Sequence, residues 1–260
     1  MFKNKFTYFL VVSGFLLFNT NIRSQTFGFG CLGFFSGYGG FAYQSYKADG
    51  LNQFVNSFNE MKSSTLNESL QKYDNAIGYR VGINFFRASW EGGFIITAKG
   101  YYQSLSKTRK TSESLPDGNS NYSFELGLKN WAVGIDFGYA LTSFLSWKII
   151  DGSVHFNNVS LINTVNLSGG TEVSKYKSDP GVLGYSVGTG IIISIIKDYV
   201  SLEGLAGYTY LSMDDIKDED GIKFLSDIVL PAIIPTPKET KFIESGGFTA
   251  VVQLNIGFPL

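Results

Sequence analysis

A chain of 260 residues with a formal net charge of −1 carries no basic field for nucleic acid, and its single cysteine excludes an intramolecular disulfide. Charged residues make up only 17% and aromatics 16%, with 30 glycines, a composition ill suited to covering a surface in water. No stretch reaches eighteen uninterrupted apolar residues, which excludes a helical membrane protein.

The N-terminus reads as an export signal. Lys3 and Lys5 give a positive start, residues 6–18 are apolar, and polar residues 19–25 follow. That is the three-part layout of a secretory signal peptide. Cleavage is expected after Ser24, leaving 1–24 as signal peptide and 25–260 as a single mature domain. Cys31 stands too far downstream, behind Gly28-Phe29-Gly30, to be a lipoprotein anchor.

Alternation of apolar and polar residues then predicts eight strands. The first lies within 27–47, rich in glycine and aromatics. The second, 77–86, sets Tyr79, Val81, Ile83 and Phe85 against Arg80, Gly82 and Asn84. In the third, 89–103, Trp90, Phe94, Ile96, Ala98 and Tyr102 oppose Glu91, Gly93, Thr97, Lys99 and Tyr101. The fourth, 122–140, has two phases: Phe124, Leu126 and Leu128, then Trp131, Val133, Ile135, Phe137 and Tyr139. The slip at Lys129-Asn130 reads as a β-bulge. The fifth, 144–161, is kept as one irregular strand despite the hairpin-type dipeptide Asp151-Gly152. The sixth and seventh are 182–194 and 200–211. The eighth, 248–258, alternates throughout, with Phe248, Ala250, Val252, Leu254, Ile256 and Phe258 on one face.

Short connections near 87–88, 141–143 and 196–198 alternate with long ones at 48–76, 104–121, 162–181 and 212–241. Outer-membrane barrels have short periplasmic turns and long external loops, and an even strand count puts both termini in the periplasm. The polar faces are mostly Gly, Ser, Thr and Asn, which suit a crowded lumen, whereas a soluble barrel would need Lys and Glu outside. The expected fold is therefore all-β: an eight-stranded antiparallel transmembrane β-barrel. The Gly-aromatic segment 34–41 and the closing segment 250–258 resemble the small OmpA/OmpX-like family of outer-membrane β-barrel domain proteins. The resemblance spans the mature chain. It implies residence in the bacterial outer membrane, the lipid bilayer as partner, and delivery by the insertion machinery that reads the terminal strand. Pro259-Leu260 after Phe258 departs from the aromatic ending common in the family.

Arg80, Glu91, Lys99, Glu125, Asp136 and Glu203 fall on polar strand faces, and Lys129 joins them if the bulge begins after it. Charges in a narrow barrel must be paired, so these seven are expected to form an ion-pair plug, with a narrow polar pore as the alternative. His155 is the one histidine. Outer-membrane lipid A deacylases, similar in strand number, pair a histidine with a serine two residues on. Asn157 occupies that position, and Ser153 or Ser160 could substitute only in a different geometry, so a structural or surface role is expected for His155.

The acidic run 214–220 fits a calcium loop badly, with Ile216 at the first ligand position, and reads as a solvated loop. Helical spacing of Leu51, Phe54, Val55 and Phe58, and of Ile222, Leu225, Ile228 and Val229, predicts two short amphipathic helices over the barrel mouth. They are either packing caps or partner-binding surfaces. No catalytic, cofactor or metal site is expected. The expected role is non-enzymatic: structural, adhesive or ligand-binding through the external loops. A small-solute channel is the first alternative, and a lipid-modifying enzyme using His155 the second.

Overall fold

The computed structural model describes residues 36–90, 92–116, 118–196, 199–229 and 240–257. The expected signal peptide, Glu91 and Phe258 lie outside them. Nine antiparallel strands are present among the described residues: β1 (Ser36–Lys47), β2 (Asn75–Ser89), β3 (Phe94–Leu115), β4 (Gly118–Ala140), β5 (Leu145–Leu167), β6 (Gly170–Lys177), β7 (Val182–Ile196), β8 (Val200–Tyr210) and β9 (Ser245–Gly257). They pair in the order β4-β3-β2-β1-β9-β8-β7-β5, and β4 pairs with β5 to close the ring. β6 stands outside it, paired with the distal half of β5.

Two cross-strand ring pairs bracket the wall. Phe94 meets Tyr139 at 5.2 Å, and Tyr102 meets Trp131 at 5.0 Å, each pair in direct register on β3 and β4. The nine residues from 94 to 102 match the length of a tilted membrane-crossing strand. Between the brackets the outer wall is apolar, with Val133, Ile135 and Phe137 exposed on β4 and Val187 and Ile191 on β7. A belt of this extent is stable only against lipid, and ring closure satisfies the backbone that lipid cannot. The molecule is an outer-membrane-type transmembrane β-barrel.

Lys129-Asn130 is not a bulge. Pairing runs unbroken through Ser104↔Lys129 and Gln103↔Asn130 on one side and through Asn158 and Asn157 on the other. The phase change marks a change of medium. Beyond Trp131 the outer face of β4 turns polar, at Lys129 and Glu125, while the inner face turns apolar, at Leu128, Leu126 and Phe124. Bulges occur instead at Phe85 in β2 and around Ile149 in β5. β5 continues through Asp151-Gly152 as a single strand. The β2–β3 turn lies at 90–93 rather than 87–88, where Gly92 and Gly93 take φ of 102° and 87°, values that favour glycine.

Among the described residues the long connections carry structure of their own. β3 and β4 extend as a hairpin to Leu115 and Gly118, and β5 and β6 form a second one. The first connection holds α1 (Asp49–Met61), and the last holds a single π-helical turn, Phe224–Val229. Leu51, Val55 and Phe58 of α1 pack with Phe224, Leu225, Phe242 and Ile243 onto the inner faces of Leu105, Phe124, Leu126 and Leu161. Phe54 meets Phe124 at 5.3 Å and Phe224 at 5.1 Å, both edge-on. Each fully buried leucine here contributes about 1.5–3 kcal/mol. For α1 the fold supports the packing cap; in the second segment Leu225 packs inward, Ile222 is exposed, and the side chains of Ile228 and Val229 lie outside those described.

No side chain caps α1 at Ala48. Two asparagines on one helical face anchor it instead. Asn52 donates to Tyr73 O at 2.9 Å and accepts from Tyr73 N at 2.8 Å; Asn59 does the same with Leu70 at 2.9 and 2.7 Å. At Gly50 a Cβ would lie 2.6 Å from both Lys241 O and Leu225 Cδ1, so only glycine lets the helix start approach the returning chain.

Candidate functional site in the lumen and at the outer rim

Inside the membrane belt the lumen carries two polar layers. In the lower, Lys148 pairs with Glu203, with Asp136 at 3.0 Å and with Asp151 at 3.4 Å. Lys99 pairs with Asp151 and lies 3.7 Å from Asp136. Glu203 also accepts from Asn255 Nδ2 at 3.3 Å, and Arg87 interacts electrostatically with Asp136 and Glu203. Among the described residues three cations thus face three carboxylates. Each of the five ion-paired side chains is under a tenth exposed.

The bulges build this layer. In a regular strand, residues three apart face opposite sides. The extra residue around Ile149 turns both Lys148 and Asp151 inward, and the bulge at Phe85 does the same for Asn84 and Arg87.

The upper layer centres on His155, which is fully buried. Its Nε2 lies 3.1 Å from Tyr101 Oη, 3.1 Å from Ser153 Oγ and 3.0 Å from Ser186 Oγ, and the two serine hydroxyls are 2.7 Å apart. Arg80 stacks over the Tyr101 ring at 4.1 Å and donates to Gln103 Oε1 from Nε at 3.0 Å and Nη2 at 2.8 Å. A cavity of about 20 Å³ bordered by Arg80, Asp151, Ser186 and Thr249 has room for one water. His155 and its serines resemble a hydrolytic pair in composition, yet His155, Tyr101 and Ser153 are buried inside the barrel, with Ser186 half-buried beside them. Above it the lumen ends in the apolar cap.

Of the seven charges expected in the lumen, Arg80, Lys99, Asp136 and Glu203 are buried there. Glu125 and Lys129 are exposed on the outer wall above the belt, because the register carries no bulge at Lys129. Glu91 lies outside the described residues. Lys148, Asp151 and Arg87 were missed. Their signal is a polar-apolar-apolar-polar quartet inside an alternating strand: Asn84-Phe85-Phe86-Arg87 and Lys148-Ile149-Ile150-Asp151.

At the outer rim the buried Glu113 fastens the cap. It accepts from Lys62 Nζ, Thr65 Oγ1 and Tyr122 Oη, each at 2.6 Å. These hydrogen bonds, that of Lys62 first, pull its carboxyl down to about 2. Elsewhere on the rim, a cleft of about 520 Å³ is lined by Tyr210, Ser212, Asp214, Lys217, Lys223 and Lys241 among others. Within it Lys217 sits 3.4 Å from Asp179, and Lys241 3.5 Å from Asp214. Lys223 has no ion-pair partner among the described residues. Asp215 and Asp218 are spent on the chain itself: Asp215 accepts from the backbone N–H of Leu225 and Ser226, and Asp218 from those of Asp220 and Ile222. A second cleft, about 550 Å³, is lined chiefly by amides and hydroxyls, among them Asn67, Ser112, Asn121, Ser123 and Asn166.

No family model matches the chain, and no curated protein matches it. Solved structures do. Ail, the attachment invasion locus protein of Yersinia pestis, in complex with the heparin analogue sucrose octasulfate, shares 13% identity, with 85% of this chain and 96% of that one covered and a TM-score of 0.36. The outer membrane protease OmpT of Escherichia coli shares 10% identity, with 90% and 99% covered and a TM-score of 0.43. Function has to be sought in this chain's own surfaces.

Proposed function

We infer that this protein resides in the bacterial outer membrane, exported by a signal peptide cleaved after Ser24, and works non-enzymatically through its external face as a ligand-binding or adhesive surface. One observation carries the reading. The lumen is filled by paired charges and roofed by an apolar core, whereas the open concave surfaces described above lie at the outer rim. Burying so many charges without pairing would be prohibitive, and pairing them consumes the width that a water path needs. The rim cleft beside Lys223 combines a cation, hydroxyls and the Tyr210 ring, groups that suit a polar ligand with an anionic substituent.

Planar-bilayer recordings of the purified protein at neutral pH test the first half. No steady conductance is expected, and a reproducible open level shifted by Arg80→Ala or Lys99→Ala would replace this reading with a channel. For the second half, the liposome-reconstituted protein is screened on an array of glycans and extracellular proteins. A hit weakened about tenfold by Lys223→Ala with Tyr210→Ala supports the cleft; hits indifferent to both changes point away from it.

A further inference from the structure

The second cleft, of about 550 Å³, presents unspent hydrogen-bonding groups on a frame that is already fixed. It opens on the face of the β3-β4-β5 sheet turned away from the cap. Ser112, Asn121 and Asn166 stand directly opposite one another in one register row across the three strands, so their side chains share that face. Lys110 and Ser123 form the next row toward the membrane. Asn121 is ten residues along β4 from Trp131, which places the cleft on the order of 30 Å along the strand beyond the aromatic collar. Both ends of the row are held. Asn67 donates from its backbone N–H to Ser112 O at 2.9 Å and from Nδ2 to Ser112 Oγ at 2.8 Å, and accepts from Ser114 Oγ at 3.0 Å. At the other end Asn166 Oδ1 accepts from Thr171 Oγ1 at 2.8 Å, which fixes the amide and leaves its Nδ2 donors unspent. The middle is free. Asn121, Ser123 and Lys110 have no side-chain hydrogen-bond or ion-pair partner among the described residues. Neither has the carboxylate of Glu68, whose main-chain oxygen is held by Thr111 Oγ1. Fixed walls around unspent groups lower the ordering cost of binding.

We propose that this cleft binds a neutral saccharide. Each sugar hydroxyl both donates and accepts, as the amides and hydroxyls of the lining do. The Glu68 carboxylate accepts from two neighbouring hydroxyls, Lys110 donates to a sugar oxygen, and Asn121 and Asn166 supply the amides between. Lys110 and Glu68 are the only charges on the lining, one of each sign, so a charged substituent would meet a like charge on one of them. Tyr122 turns its hydroxyl to Glu113 and its ring to Lys62 on the other face, so affinity rests on hydrogen bonds rather than on stacking. The volume suits a small ligand. The proposal rests on the reading that the external face binds ligands, and adds to it a site separate from the Lys223 cleft.

The test applies the liposome-reconstituted full-length protein to an array of neutral hexose and N-acetylhexosamine oligosaccharides, printed beside their sulfated and sialylated counterparts. At least one neutral member is expected to bind, with an affinity that does not fall as salt is raised, since no charge on the ligand is neutralised. Asn121→Ala and Glu68→Gln are each expected to weaken it at least about tenfold. Lys129→Ala, an exposed change elsewhere on the same wall, leaves it unchanged. Asn121 and Glu68 are themselves exposed, and heat-dependent gel mobility verifies folding for each variant. An array with no neutral hit, a hit indifferent to both Asn121→Ala and Glu68→Gln, or a preference for sulfated or sialylated members would each overturn the proposal. So would a protein ligand lost with Asn121→Ala where no saccharide binds, which would assign the cleft to a polypeptide. Labelling of Ser123→Cys on whole cells by a membrane-impermeant maleimide, above the wild-type signal, separates the two readings. Labelled cells with a blank array defeat the saccharide alone, whereas unlabelled cells defeat the external-face reading and the saccharide with it.

Discussion

The two halves of this molecule are built on opposite polarity. Between the Phe94–Tyr139 and Tyr102–Trp131 ring pairs the wall is apolar outside and polar within. A few residues further along the same strands, Glu125 and Lys129 face outward and Phe124, Leu126 and Leu128 face in. Strand geometry does not change across the boundary; only the surrounding solvent does. The lower half is held by backbone closure and paired charges, because lipid offers no hydrophobic drive to bury its outer wall. The upper half folds like a soluble domain, around α1 and a conventional apolar core. One protein therefore answers to two sets of rules.

The sharpest way to break this contrast is Lys148→Ala. It removes the cation shared by Asp136, Asp151 and Glu203, leaving Lys99 and Arg87 against three buried carboxylates, and should cost about 3–5 kcal/mol, read as a lower urea midpoint for loss of the heat-modifiable gel form. An unchanged midpoint would mean that the lower layer is open to water.

The cap should respond differently, and to acid. Glu113 has its carboxyl lowered from the ordinary value near 4.5 to about 2, so the stability it lends is present above about pH 4.5 and fades as pH falls toward 2. Protease access to the chain around Lys62 should increase over that window while the gel form of the barrel persists. Glu113→Gln should loosen the cap by about 1–3 kcal/mol at neutral pH and flatten the acid response. If barrel and cap are lost together, the two halves are one cooperative unit. The smallest effect belongs to Lys129→Ala and Glu125→Ala, within about 0.5 kcal/mol of wild type by the same urea assay, since both side chains are exposed. A large loss in either would move them back toward the lumen.

Much of the ring was legible in the residues. Alternation located all eight ring strands, and the 3.6 spacing of Leu51, Val55 and Phe58 located α1. What alternation lacks is any record of the medium on each side. Leu128 and Trp131 therefore looked like a slipped register, although each obeys the same period under a different solvent. β6 escaped for a related reason: with both faces exposed, Thr171-Glu172-Val173-Ser174 has no oily side to repeat. Lys148 and Asp151 escaped because a bulge between them breaks the parity that defines a face. The long connections were read as loops from their polarity, yet polar residues on both sides of a strand above the membrane are what water permits.

The nine-residue bracket between the ring pairs also makes this barrel a gauge. At about 3.4 Å per residue and a tilt near 40°, it spans on the order of 20 Å along the bilayer normal. Strands tied by closed pairing cannot lengthen to suit a thicker host, as a helix does by standing upright. Thick membranes must thin around Trp131 and Tyr139 or leave polar wall in hydrocarbon, at fractions of a kcal/mol per ångström. Bilayer thickness alone would then sort this protein toward thin membranes.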